Sequence, residues 1–146
     1  MEVYLLNKKI KNFFDFNNVN ILILGGNSGL GFEMVKSFSN FKNKIYITGR
    51  DIKKLRKSKS YISKNYNKTI HTFQINFVSE DSVINFFKIF KKKCNSINIL
   101  INCIGYNQRN LIENISSNEW ENILKTNLSI PFYISKHSLP FLKRSK

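Results

Sequence analysis

The sequence predicts an α/β fold, a doubly wound parallel sheet with helices on both faces. Ile21-Leu22-Ile23-Leu24 leads into a glycine-rich turn, Gly25 to Gly31, and then into an apolar stripe at helical spacing: Leu30, Met34, Val35, Phe38 and Phe41. A short continuous apolar run reads as a strand buried on both faces, and the stripe reads as a helix with one apolar face. Strand-like and helix-like segments then keep alternating, which calls for βαβ crossovers and a parallel sheet. The residues unusual for such segments, Gly25 to Gly31, Arg50, Asn76 and Gly105, all fall after strands, where open α/β sheets bind ligands.

The elements follow in order. Residues 1–19 mix Val3, Leu5, Leu6, Ile10, Phe13, Phe14 and Phe16 with lysine and asparagine, and predict a short helical extension lying against the sheet. The first strand covers residues 20–24 and the first helix residues 28–41. A turn at Asn43 leads into the second strand, residues 44–48, which ends at Gly49-Arg50-Asp51. A lysine-rich helix follows with Ile52, Leu55 and Ile62 inward. The third strand covers about residues 69–76, and His71 reads as an edge residue preceding it. Ser79, Glu80 and Asp81 suit a helix start. That helix carries Val83, Phe86, Phe87 and Phe90 inward and ends in Lys91 to Lys93, the favourable charge for a C-terminus. The fourth strand, residues 97–102, closes at Cys103-Ile104-Gly105, followed by a polar loop from Tyr106 to Asn110. Ser116 to Glu119 opens a last helical region with Trp120, Ile123, Leu124 and Leu128 on one face, and Pro131 is expected to bend or break it.

The strand–glycine–helix order favours an anion. The first turn of a helix has N–H groups without intrahelical partners and carries the positive end of the macrodipole. A phosphate there satisfies both. Gly25 turns the chain out of the strand, Gly29 lets a diphosphate approach the backbone, and Gly31 lets helix and strand pack closely. The spacing Gly-x-x-x-Gly-x-Gly differs from the Gly-x-Gly-x-x-Gly of the common dinucleotide fingerprint. A tight turn without a ligand is the competing reading.

Composition bounds the rest. The 146 residues are 42% hydrophobic and 14% aromatic, enough for one domain with a packed core. No apolar run approaches the roughly 20 residues a membrane helix needs, and the N-terminus does not read as a secretory signal. Cys94 and Cys103 are the only cysteines and read as reduced thiols in a cytoplasmic protein. The net charge of +15 admits a nucleic-acid partner. The lysines are nonetheless spread over the whole chain with abundant asparagine and isoleucine, so a compositional bias is the preferred reading.

With these motifs in hand, the chain resembles the short-chain dehydrogenase/reductase family, whose fold is a Rossmann-like sheet. Leu24 to Gly31 is similar to the family's Thr-Gly-x-x-x-Gly-x-Gly, with leucine in place of threonine. Asn102-Cys103-Ile104-Gly105 is similar to its Asn-Asn-Ala-Gly strand end. Lys125-Thr126-Asn127-Leu128 is similar to the helix carrying its catalytic asparagine, here Asn127. The resemblance implies hydride transfer between a nicotinamide cofactor and a small carbonyl or alcohol. It also implies cofactor contacts from Gly25, Asn27, Ser28, Gly29, Leu30, Gly31, Asn76, Phe77, Asn102, Ile104 and Gly105, and a homo-oligomer. An acid after the second strand would hold a ribose 2′-OH, whereas an arginine accommodates a 2′-phosphate. Arg50 therefore favours NADP over NAD, with Lys53 and Lys54 adding to the field. Asp51 reads as a helix cap.

The resemblance ends before the family's serine, tyrosine and lysine. No Tyr-x-x-x-Lys follows Asn127, His71 and His137 are isolated, and no metal-ligand cluster exists. The expectation is a sheet truncated after about four strands: a single partial cofactor-binding domain over residues 1–146, inactive alone, with the fourth strand at an open edge. A non-catalytic cofactor-binding module and an inactive remnant are the alternatives.

Overall fold

Four consecutive side chains of one strand, Ile21, Leu22, Ile23 and Leu24, have no solvent exposure, and the fold is layered around them. A computed structural model describes residues 15–145, so most of the expected N-terminal extension lies outside the described residues. The elements are β1 (Asn20–Leu24), α1 (Gly29–Phe38), β2 (Lys44–Gly49), α2 (Ile52–Tyr66), β3 (His71–Gln74), α3 (Glu80–Lys91) and β4 (Ile99–Asn102). A 3-10 turn (Ile112–Asn114), α4 (Ser117–Leu124), a π-helical turn (Lys125–Ser129) and α5 (Ile130–Leu142) follow.

The strands are parallel in the order β3-β2-β1-β4. Successive side chains of a strand point to opposite faces. Accordingly Leu22, Leu24 and Tyr46 join the α3 and α5 side chains Val83, Phe86, Phe87, Phe90, Ile134 and Phe141 on one face. Ile21, Ile23, Ile45 and Ile47 join Val35 of α1 and Leu55 and Ile62 of α2 on the other. The chain moves outward from β1 through β2 to β3 and then returns to β4 on the opposite side of β1. Its switch point is therefore the gap between the ends of β1 and β4.

Several boundaries differ from expectation, each for a local reason. α1 stops at Phe38, three residues early. The Ser39 hydroxyl donates to the Val35 carbonyl at 2.7 Å, and the Asn43 amide donates to the Phe38 carbonyl at 2.9 Å. The Val35 carbonyl keeps its backbone donor, the Ser39 N–H at 3.0 Å, whereas beyond it the side-chain amides of Asn40 and Asn43 bond the Ser37 and Phe38 carbonyls. Phe41 instead packs edge-on against Phe16 at 5.3 Å. β3 is shorter than residues 69–76. His71 opens it, stacking on Tyr46 at 4.8 Å. Burial, with Lys59, Lys44 and Lys93 nearby, lowers its pKa and favours the neutral ring. β4 begins at Ile99, because the Ile97 N–H donates to the Phe141 carbonyl of α5 rather than to the sheet. Ile52 is exposed, and the inner face of α2 is Leu55, Ser58 and Ile62.

Pro131 does not break the last helical region. It lacks the N–H that would bond back one turn, and the preceding turn widens to π spacing so that the run from Ser117 to Leu142 stays helical. The apolar face expected there exists but is not covered. Trp120, Leu124 and Leu128 are 54%, 39% and 66% exposed, and Phe132 beyond them is 61% exposed. Periodicity marks an apolar face without saying what packs on it.

The third and fifth helices are tied at one carboxylate. Lys136 Nζ lies 2.9 Å and His137 Nε2 2.7 Å from Glu80 Oε1. The hydrogen bond from Lys136, then that from His137, holds the Glu80 carboxyl below its ordinary value of 4.5. A depressed carboxyl pKa stabilises the fold above the unfolded value and stops doing so as pH falls through the folded one. Glu80→Gln should therefore leave the acid unfolding curve flatter below about pH 4.5 than in the parent chain, read by circular dichroism across a pH series.

Candidate nucleotide-binding site

The glycine turn sits at the switch point. Gly25 has φ +76°, a left-handed conformation that strains other residues, and a Cβ there would stand 3.0 Å from the Cys103 carbonyl oxygen. Its N–H donates to the Thr48 hydroxyl at 3.2 Å. A Cβ on Gly31 would stand 2.5 Å from the Gly25 carbonyl oxygen, so α1 can start this close to β1 only with glycine there. Gly29 differs from both: a Cβ on it would meet nothing within 4 Å. The turn is packed on its inner side and open on its outer side.

The helix it opens is left uncapped. Asp51 caps α2, accepting from the N–H groups of Lys53 and Lys54 at 2.8 and 3.1 Å, as the sequence suggests. Ser79 and Ser116 cap α3 and α4 in reciprocal capping boxes. Ser28 stands at the cap position of α1 and makes no such bond, and the first turn of α1 has no acid. Its orphan N–H groups and dipole therefore face the space beyond Gly29.

That space is a cleft of about 720 Å³ at the carboxyl ends of the strands. The structure brings Gly25, Asn27, Ser28, Gly29, Leu30, Gly31, Arg50, Asn76, Phe77, Asn102, Ile104 and Gly105 together around it. Arg50 is exposed at the end of β2, and its carbonyl accepts from the Gln74 side chain of β3 at 3.2 Å. The Asn102 side chain accepts from the Ile104 N–H at 3.1 Å and so shapes the turn after β4. Phe77 turns partly into the core, with its ring 5.4 Å from Phe86.

Asn127 is not among the lining residues; its neighbours Lys125 and Thr126 are. Its amide is engaged at both ends with one backbone. The Oδ1 accepts from the Tyr106 N–H at 2.9 Å, and the Nδ2 donates to the Tyr106 carbonyl at 2.7 Å. It thus pins the loop after β4 to the π-helical turn. Sequence reasoning missed Thr48, Met34, Cys103 and Tyr106 as part of the cleft wall. Thr48 carried a signal, a hydroxyl directly after the apolar run Ile45 to Ile47, and Cys103 stood within the strand-end motif. Cys103 is half-buried, and burial raises its thiol pKa. Among the described residues no three His, Cys, Asp or Glu side chains gather as metal ligands, and no helix is long and apolar enough to cross a membrane.

A family profile described as short chain dehydrogenase matches residues 19–146. The chain is 33% identical over 115 residues to the 3-oxoacyl-(acyl-carrier-protein) reductase FabG of Buchnera aphidicola, covering 79% of this chain and 46% of that protein. It is 23% identical over 134 residues to gluconate 5-dehydrogenase of Gluconobacter oxydans, covering 88% of this chain and 52% of that protein. Among solved structures, the Pseudomonas aeruginosa RhlG/NADP active-site complex superposes with a TM-score of 0.84 at 20% identity, over 91% of this chain and 51% of that one. L-sorbose reductase of Gluconobacter frateurii, complexed with NADPH and L-sorbose, gives 0.80 at 13% identity, over 88% and 49%. The chain spans about half the length of the curated relatives it matches.

The uncapped start of α1 can be tested by paired substitutions. Ser79→Ala should destabilise the fold by about 1 kcal/mol, the usual worth of a cap. Ser28→Ala should change it by less than about 0.5 kcal/mol, as for a side chain with no bond to lose. Urea denaturation of both variants reads the difference.

Proposed function

The chain belongs to the short-chain dehydrogenase family, and we propose that its 146 residues supply the NADP(H)-binding part of an oxidoreductase acting on a small carbonyl or alcohol. The observation carrying this is the first turn of α1, uncapped and open toward the cleft while α2, α3 and α4 are all capped. The residues fit a dinucleotide. The N–H groups at Gly29 to Gly31 would hold the diphosphate, and Asn76 and Phe77 would border the base. Asn102, Ile104 and Gly105 would border the nicotinamide side. When bound, the nicotinamide gives or takes a hydride.

Arg50 would supply a charged, bidentate partner for a 2′-phosphate at the place where a 2′-OH reader would carry an acid, which favours NADP over NAD. Asn127 would act by holding the loop after β4, since both ends of its amide are bonded to Tyr106. We assign these residues cofactor binding. After Asn127 they contain no Tyr-x-x-x-Lys, the family's proton-transfer pair, so hydride transfer would require those groups. The exposed stripe of Trp120, Leu128 and Phe132 supports an assembly in which this face is covered by another copy.

Titration calorimetry tests the reading. The chain should bind NADP saturably and NAD more weakly. Arg50→Ala should lower NADP affinity about ten- to a hundredfold, the worth of a hydrogen bond to a charged group, and leave NAD nearly unchanged. Absence of saturable NADP binding would overturn it, as would an equal loss for both cofactors.

A further inference from the structure

One buried polar group is used by nothing described so far. Ser58 lies on the inner face of α2 between Leu55 and Ile62 and is 4% exposed. A hydroxyl among aliphatic side chains needs a partner. Helical serines ordinarily find one on their own helix, four residues back, and Ser37 and Ser135 do so here. Ser58 instead reaches out of its helix and donates to the Asn27 carbonyl of the glycine turn at 3.3 Å.

Asn27 is also held at its other end. A Cβ on Gly49 would stand 2.5 Å from the Asn27 Cγ, so the Asn27 side chain lies flat against the last residue of β2. Arg50 follows Gly49 directly, and α2 starts at Ile52 under the Asp51 cap. The main chain of Asn27 is thus bonded to α2, and its side chain is wedged on the strand end that carries Arg50. Two turns of α2 span the interval between them.

We propose that Ser58 is a positioning residue: with Gly49 it clamps Asn27, and the clamp sets the register between the glycine turn and the Arg50 guanidinium. This rests on the nucleotide reading above, because the register matters only to a ligand touching both. NADP carries a diphosphate and a 2′-phosphate and senses it. NAD has no 2′-phosphate and does not. A loosened clamp leaves each anion-binding element intact but no longer held at one spacing, so preorganisation is lost for the ligand that spans them.

The test is calorimetry on the full chain with NADP and NAD, using Ser58→Ala, Ser58→Thr and Gly49→Ala. Ser58→Ala should weaken NADP about five- to tenfold, the range of one net hydrogen bond, with NAD changed less than twofold. Ser58→Thr, which keeps the hydroxyl, should restore NADP binding. Gly49→Ala, whose Cβ would push the Asn27 side chain off the end of β2 without touching α2, should show the same selective loss, and it carries the test if Ser58→Ala does not fold. Equal losses for both cofactors would mean a merely structural role and would overturn the proposal, as would unchanged NADP affinity in the variants. If the parent chain binds neither cofactor, the nucleotide reading itself fails.

Discussion

The structure turns on the N–H groups at the start of α1, which face a cleft with no side chain to cap them. Orphan donors at a helix start must be satisfied by a side chain, by water or by a ligand. At α2, α3 and α4 a cap is supplied: Asp51, Ser79 and Ser116 each accept from their helices. At α1 Ser28 stands at the cap position and makes no such bond. Gly31 lies against the Gly25 carbonyl and Gly25 lies against Cys103, so the turn is pressed inward and its donors point outward. An anion at that spot would gain both the hydrogen bonds and the dipole.

The rest of the fold holds that turn still. β1 is the most deeply buried strand, bonded to β2 on one side and β4 on the other. Its alternate side chains anchor both faces of the sheet. The turn leaving it inherits that rigidity. Thr48 from β2 accepts from the Gly25 N–H, and Ser58 from α2 donates to Asn27. The cleft's far wall is fixed in a different way, through Asn127 and the backbone of Tyr106 across a widened helical turn.

Much of this was legible in the residues. The apolar run into Gly25 placed β1 at its observed ends, and the four inward residues of α3 are buried as their spacing predicts. The twelve positions expected around a cofactor surround one cleft, because motif spacing places them all at strand ends. What was not legible depends on contacts far apart in sequence. Asparagine side chains took up carbonyls at the end of α1, and an edge strand kept only four residues of pairing. The stripe of Trp120, Leu124 and Leu128 reads as core by periodicity and lies open, since periodicity reports a face and not its cover. Ser58 carried no sequence signal, because a serine in a lysine- and serine-rich helix looks like surface.

The most direct test of the central claim is amide chemical-shift mapping of the labelled chain during titration with NADP. The account predicts that the largest shifts fall on the N–H groups of Gly29, Leu30 and Gly31, with the Arg50 side chain moving alongside them. Shifts spread over the lysines of α2 with the glycine turn unmoved would contradict it.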